Sequence, residues 1–280
     1  MKFSLILATL GRAAEPARFL ESLKEQSHSD FEVIIVDQNA DDRIMAIYKR
    51  ENNTLPLRYI RSEAGVSKAR NAGLKAATGD IIAFPDDDCT YPRDVLHAAA
   101  EWLSGHKGYG LLCGSLTQED GSATVGRWGA KESEITRANA FRYGAALTLF
   151  LRKEVVRSIG GMDETLGPGA GTDWGACEDT EYLLQALAAG HKAFYCPRIR
   201  IHHPDKTARY GLTAYRRAYS YGMGFGHVAR RYGYPAWFII YNVARPIAGA
   251  ITSFLTFRPA KAVFHILLSY GRARGWAGTK

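Results

Sequence analysis

The sequence predicts an α/β fold, a sheet of apolar strands covered on both faces by helices, followed by a basic helical extension. Three observations carry that expectation. Short apolar runs such as Phe3–Thr9, Phe31–Val36 and Asp80–Phe84 alternate with segments of helical spacing. The runs are apolar throughout rather than every second residue, the pattern of a parallel sheet buried on both sides. Residues 206–280 hold twelve Lys/Arg and no Asp or Glu.

The elements follow in order. Phe3–Thr9 is β-rich and is broken by Gly11. The apolar stretch after Met1-Lys2 ends at Leu10, short for a signal-peptide core and without a clean cleavage site, so it is assigned to a first strand. Pro16–Gln26 has helical spacing through Phe19, Leu20 and Leu23. Phe31–Val36 is a second strand ending at Asp37, and Leu57–Arg61 is a third. Ser67–Ala77 is expected as a helix with Ser67 as its N-cap, closed by Gly79. Asp80–Phe84 is a fourth strand, and Pro92–Leu103 a helix with Pro near its start. Tyr109–Ser115, Ala145–Leu151, Lys192–Cys196 and Ile199–His203 are further expected strands. Gly160–Gly175 is a Gly-rich loop containing Pro168, and Glu178–Ala188 is a helix.

The chain of 280 residues carries 36 Lys+Arg against 28 Asp+Glu, a formal net charge of +8. The excess is local: the first 205 residues hold 24 Lys/Arg against all 28 acids. A mildly acidic body with a basic end points to a polyanionic surface as partner of that end. Within the end, Tyr234–Phe257 is apolar and long enough to span a bilayer, but Arg245-Pro246 stands at its middle. A central Arg costs roughly 2.5–3.5 kcal/mol on insertion. On a helix, Trp237, Ile240, Tyr241, Ala244, Ile247, Ala248, Ile251, Phe254 and Leu255 share one face, and Asn242, Arg245, Gly249, Thr252, Ser253 and Thr256 the other. A basic, amphipathic, Trp-bearing helix lies in the membrane interface. The alternative is a helix packed on the rest of the chain. The four cysteines, Cys89, Cys113, Cys177 and Cys196, have no CxxC spacing and are expected as free thiols in a reducing compartment.

Chemistry concentrates at Asp86-Asp87-Asp88, directly after the fourth strand. Adjacent like charges need an offset, and Mg²⁺ or Mn²⁺ provides one because both prefer carboxylate oxygens. The C-terminal end of a strand is also where open α/β sheets bind ligands. A solvated acidic turn is the alternative. Four other segments stand with this run: Ala8-Thr9-Leu10-Gly11-Arg12, Val36-Asp37-Gln38, Gly65 to Gly73 (GVSKARNAG), and Trp174-Gly175-Ala176-Cys177-Glu178-Asp179.

In this order and spacing the chain, over about residues 1–205, resembles the inverting glycosyltransferase family 2 with the GT-A fold, a Rossmann-like mixed sheet, of the membrane-associated type that assembles bacterial polysaccharide. The resemblance implies a catalytic domain over 1–205 and a helical extension over 206–280. It implies a nucleotide-sugar donor whose base meets Asp37 and Thr9, with Gly65 permitting close backbone approach and Arg70 aimed at the base or diphosphate. Asp37 as a strand-end turn cap and Arg70 as a surface arginine are the alternatives. By the same resemblance Asp86 binds the ribose, Asp88 ligates Mn²⁺ or Mg²⁺, and Asp87 points away. Cys89 stands where many members have an acid, and a thiol suits neither metal, so it receives no ligand role. The base is assigned to Asp179, with Glu178 second; both also suit a helix N-terminus by charge alone. Trp174 is expected to shape the acceptor pocket. His202 and His203 fall where some members place another metal ligand, although successive side chains on an extended chain point opposite ways.

The expected function is therefore inverting, metal-dependent glycosyl transfer to a hydroxyl, with a lipid-linked glycan as acceptor. The protein is expected to lie peripherally on the cytoplasmic face of an anionic membrane. Because every assigned catalytic residue precedes 205, loss of residues 234–280 is expected to release the membrane and spare transfer to soluble acceptors. A processive polysaccharide synthase would need several spanning helices and a QxxRW motif. A nucleotidyltransferase would need a Gly-rich basic loop at residues 8–14. A nucleic-acid binder would explain only the basic end.

Overall fold

The computed structural model describes residues 1–122, 124, 128–204 and 210–278. Lys206, Arg209 and Lys280, three of the twelve basic residues counted above, lie outside the described residues. Among the described residues eight strands form one sheet: β1 (Phe3–Thr9), β2 (Phe31–Asp37), β3 (Leu57–Arg61), β4 (Ile81–Ala83), β5 (Leu111–Thr117), β6 (Ser133–Ile135), β7 (Leu149–Arg152) and β8 (Ala193–His202). Their order is β3-β2-β1-β4-β7-β5-β8-β6.

The first half of the sheet is parallel, as the unbroken apolar runs require. The second half makes the sheet mixed, as the GT-A resemblance implies. β7 runs antiparallel to both β4 and β5, and β6 runs antiparallel to β8. The two expected strands at Lys192–Cys196 and Ile199–His203 are one strand, β8, with a register shift against β5.

Both faces of the parallel half are covered. Phe3, Leu5, Leu7, Val33 and Ile35 join Phe19, Leu20 and Leu23 of α1 (Ala14–Lys24) and Leu96, Ala99 and Leu103 of α4 (Val95–Gly105) in one cluster. Ile6 points to the opposite face, against α3 (Val66–Ala76), where a Cβ on Gly73 would run into the Ile6 side chain. Ser67 lies inside the first turn of α3 rather than capping it, and its hydroxyl donates to Leu166 O at 2.8 Å. The sequence reading missed α2 (Arg43–Glu51), α5 (Ala140–Tyr143) and α6 (Lys153–Ile159). At the N-terminal end of the sheet Glu32 is 4% exposed and accepts from Ser4 Oγ, Thr78 N and Thr78 Oγ1, each at 2.7 Å.

The chain forms two compact units. The first holds Met1–Ala64, Lys68–Met162 and Tyr182–Asp205, including the sheet. The second holds Gly65–Ser67, Asp163–Glu181 and Lys206–Lys280. Three helices build the second unit: α8 (Leu212–Arg231), α9 (Ala236–Leu255) and α10 (Pro259–Ala277). Where α8 meets α10, backbones touch. A Cβ on Gly222 or Gly226 would strike carbonyls of Leu268 or Arg272, and one on Gly271 or Gly275 would strike carbonyls of Tyr219 or Met223. Glycines four apart on both helices are what such close approach needs.

Pro246 stands inside α9 and has no N–H to give the carbonyl four residues back, Asn242 O. That carbonyl accepts instead from Arg272 Nη1 at 2.5 Å. The guanidinium also lies 4.6 Å from the Phe225 ring centroid, and burial lowers its pKa to about 10. The apolar face of α9 points outward: Trp237 is 67% exposed, Phe254 71% and Leu255 71%, whereas Ser253 on the polar side is buried. A helix packed as a core element would show the reverse.

Candidate active site

The first unit brings three sequence segments to one edge of the sheet. Thr9 and Asp37 end β1 and β2 in direct register. The chain leaving β4 runs on parallel to β1, with Asp86 bridged to Ala8. The ends of two strands and the acidic run therefore adjoin.

Asp86, Asp88 and His203 converge there, with one ligand atom of each within 4.8 Å of the others. Asp88 is 3% exposed, and its Oδ1 lies 3.3 Å from His203 Nε2. The His203 main chain is pinned on both sides: its N–H donates to Thr117 O and its carbonyl accepts from Thr124 Oγ1, each at 2.9 Å. Among the described residues the buried Nδ1 of His203 has no hydrogen-bond partner. The two carboxylates match the oxygen preference of Mn²⁺ or Mg²⁺, and the imidazole adds one softer nitrogen donor. His202 is not one of the three. It pairs its backbone with Thr90 and borders a cavity of about 270 Å³ with Arg18, Gln118, Glu119 and Asp120, which His203 also borders. Burial pushes the His202 imidazole below its ordinary value.

Asp87, expected to point away from the metal position, faces Thr9 and Arg12. Its Oδ2 accepts from Thr9 Oγ1 at 2.7 Å, and its Oδ1 from Arg12 Nη1. Arg12 Nη1 also sits 3.0 Å from Asp88 Oδ2. Burial pushes the Asp87 carboxyl up, while the Thr9 and Arg12 contacts pull it down. Arg12 thus offsets Asp87 and Asp88, a part the sequence reading gave to no side chain. Its signal was its place in the turn after β1, beside Gly11.

Arg70 is 4% exposed, with Nη2 3.2 Å from Asp86 Oδ1 and the guanidinium 5.9 Å from the Phe84 ring centroid. Its burial rules out the surface-arginine alternative. Asp37 is fully buried. Its Oδ1 accepts from Asn39 N and Nδ2 at 2.9 and 2.7 Å, and its Oδ2 from Tyr59 OH at 2.6 Å. Asn39 in turn accepts from Gly11 N at 2.7 Å, tying the turns after β1 and β2 together. Asn39 and Tyr59 were not anticipated. Cys89 is fully buried and burial drives its thiol well up, which suits the absence of a ligand role.

The second unit carries the other candidates. Gly65 has φ +133°, a conformation that suits glycine. The next two residues hold the Gly-rich loop, Val66 N donating to Pro168 O at 3.0 Å and Ser67 Oγ to Leu166 O. Trp174 stacks on His227 at 3.7 Å between centroids. Glu178 and Asp179 open α7 (Glu178–Ala188), whose first turn also holds Glu181. Glu178 is 7% exposed; Asp179 is half-buried, and its Oδ1 accepts from Thr180 N at 2.7 Å.

Comparison with known proteins places this geometry. Residues 4–155, more than half of the chain, match the sequence profile of glycosyl transferase family 2, and the chain belongs to that family. An uncharacterized glycosyltransferase of Haemophilus influenzae is 38% identical over 202 residues, covering 66% of this chain and 61% of its own length. The chain thus spans less than two thirds of that relative. Among solved structures, the mannosyltransferase PcManGT from Pyrobaculum calidifontis, in complex with GDP-Man and Mn²⁺, matches at TM-score 0.65 and 17% identity over 97% of this chain and 86% of that one. Staphylococcus aureus TarS 1-349, in complex with UDP-GlcNAc, matches at TM-score 0.63 and 16% identity over 98% and 91%. At these identities the two structures establish the shared fold, which is GT-A as the sequence predicts.

Proposed function

We propose that the protein is an inverting glycosyltransferase that moves a sugar from a nucleotide-diphosphate donor to a hydroxyl acceptor, using Mn²⁺ or Mg²⁺. The observation that carries this reading is the convergence of Asp86, Asp88 and His203 within 4.8 Å in a family 2 chain. The donor class draws support from the nucleotide-sugar complexes of the two structural neighbours. A divalent cation bound by these side chains would supply charge stabilisation for a departing diphosphate. Arg70 and Arg12 hold the carboxylates in place and balance their charge. Three of the four lone-pair sites of Asp37 are taken by Asn39 and Tyr59, which leaves one for a ring N–H of the base. Thr9 fixes Asp87 beside it. Inversion needs one base to take the acceptor proton. Asp179, half-buried, is assigned that role ahead of the more buried Glu178. Trp174 is assigned to the acceptor side.

The acceptor is a lipid-linked glycan of surface polysaccharide assembly, and the protein docks peripherally on the cytoplasmic face of an anionic membrane. The outward apolar face of α9 and the basic charge of residues 206–280 support docking. Among the described residues α9 is the one helix long and apolar enough to cross a bilayer, but Arg245 at its middle is exposed, which favours the interface. No nucleic-acid partner is assigned. Thermal shift with UDP-GlcNAc and GDP-mannose, each with and without Mn²⁺, tests the core reading, because a ligand that binds only the native state raises stability. A shift that needs Mn²⁺ is expected. Equal shifts in EDTA would overturn the metal assignment, and no shift with either compound, or with a panel of other nucleotide sugars, would overturn the donor class.

A further inference from the structure

We infer that α8 is the mount of the catalytic base: one face of this helix fixes the loop that leads into α7, and Gly224 and His227 are its positioning residues. The inference rests on the assignment of the base to Asp179. Four contacts lie along α8 at Ser220, Gly224, His227 and Arg231, spaced four, three and four residues apart, which is a single helix face. Ser220 accepts Gly175 N on its carbonyl at 3.2 Å and donates its hydroxyl to Asp173 O at 3.1 Å. Gly224 has no room for a side chain, since a Cβ there would strike the backbone of Ala176, including its carbonyl. His227 stacks on Trp174 with planes 21° apart. Arg231 pairs with Asp163 at 2.5 Å and lies 3.7 Å from the fully buried Glu181, which also accepts from Tyr232 OH at 2.8 Å. The segment is therefore gripped at its start, along the loop before α7, and two residues past Asp179.

What the grip holds is a strained turn. Cys177 has φ +73°, left-handed for a residue with a side chain, and its carbonyl accepts Glu181 N at 2.9 Å to open α7. Such a conformation is unfavourable for a residue with a side chain and persists only where neighbours impose it. Here it sets the direction of the helix that begins with Glu178 and Asp179. The opposite side of α8, through Gly222 and Gly226, is locked to α10. The basic helical region thus reaches the reaction through the loop it carries as well as through the membrane.

The test uses the full chain in three variants beside Asp179→Asn. Gly224→Ala should leave α8 intact, since Ala is the better helix former, yet displace Ala176. His227→Ala removes the stack, and His227→Phe restores it. Amide hydrogen exchange over residues 175–181 should quicken at least tenfold in Gly224→Ala and His227→Ala and stay near wild type in His227→Phe, with β1 and β2 unchanged in all. UDP release from UDP-GlcNAc in Mn²⁺ should fall at least tenfold in the same two variants, with the UDP-GlcNAc KM within about twofold, and recover in His227→Phe. Wild-type exchange over 175–181 in both Gly224→Ala and His227→Ala would overturn the mount. Wild-type release in those two with Asp179→Asn inactive would overturn the positioning role alone and leave the base standing. Wild-type release in Asp179→Asn would remove the base and the inference with it. Should Gly224→Ala fail to fold, the His227 pair decides.

Discussion

The outward face of α9 gives the docking proposal a number. Ile251 is 58% exposed and Phe254 71%. Moving a whole side chain of this size out of water is worth about 1.5–3 kcal/mol. Scaled by the exposed fraction, each contributes about 1–2 kcal/mol to insertion, and Ile251→Ser with Phe254→Ser together removes about 2–4 kcal/mol. At 1.4 kcal/mol per tenfold, the partition coefficient onto vesicles should fall about 30-fold or more. Both side chains already face solvent, so the melting temperature should not drop. The assay is co-sedimentation with sucrose-loaded vesicles containing phosphatidylserine, at low and high salt, because the basic residues add a part of about 1 kcal/mol each that salt screens. The double variant should lose the salt-resistant part of binding and keep the salt-sensitive part. Equal binding by wild type and double variant would show that this face does not meet the bilayer, and a wild type that ignores anionic vesicles would leave the lipid-linked acceptor without its main support.

Three further outcomes follow from the first unit and the base. Asp88→Asn removes an anionic ligand atom and should abolish Mn²⁺-dependent donor binding without unfolding the sheet; donor affinity in the variant equal to wild type would refute the ligand role. Asp179→Asn should cut turnover roughly 10²–10⁴-fold with donor affinity little changed, measured by UDP release and nucleotide titration. Burial would raise the Glu32 carboxyl, but Ser4, Thr78 and Lys2 together hold it down at about 2 against an ordinary 4.5. The folded value is the lower one, so its stabilisation is present above pH 4.5 and is lost as pH falls toward 2. The loss should reach about 3 kcal/mol, and urea unfolding at pH 5 and pH 2.5 should show this dependence in wild type and a shallower one in Glu32→Gln.

What the sequence revealed here is what chain order preserves. The apolar runs of β1 to β3 and the helix opening at Glu178 announce themselves locally, and so does the acidic run after β4. The antiparallel direction of β7 has no local mark, because an apolar strand reads the same either way. α2 escaped because only Ile44, Ile47 and Glu51 of its residues are buried amid charged neighbours. The support of the acidic run was harder still. Arg12 reaches Asp87 across 75 residues, and Tyr59 reaches Asp37 across 22. Which of the two adjacent histidines joins the carboxylates depends on where β8 ends, a register that alternation alone does not fix. The close approach at the glycines at 222, 226, 271 and 275 was not anticipated, because their meaning appears only when two helices meet.

Composition changes at residue 206, but the compact unit that holds the basic helices also draws in Gly65–Ser67 and Asp163–Glu181. That alters the expectation that removal of residues 234–280 would spare soluble transfer. Such a truncation deletes α9 and α10. It strips the glycine face of α8, where the backbone of Tyr219, Gly222, Met223 and Gly226 meets that of α10. It also removes Arg272, whose guanidinium covers Phe225. An isolated helix of about 20 residues is marginal in water, since most helical stability comes from packing. With α8 frayed, the left-handed turn at Cys177 loses what imposes it, and α7 loses its fixed start. The truncated chain should therefore lose UDP release from UDP-GlcNAc in Mn²⁺ even with no membrane present, while Mn²⁺-dependent nucleotide binding, which draws on Asp86, Asp88 and His203, survives. Full release by the truncated chain would confine α9 and α10 to the membrane and leave α8 able to hold the loop alone.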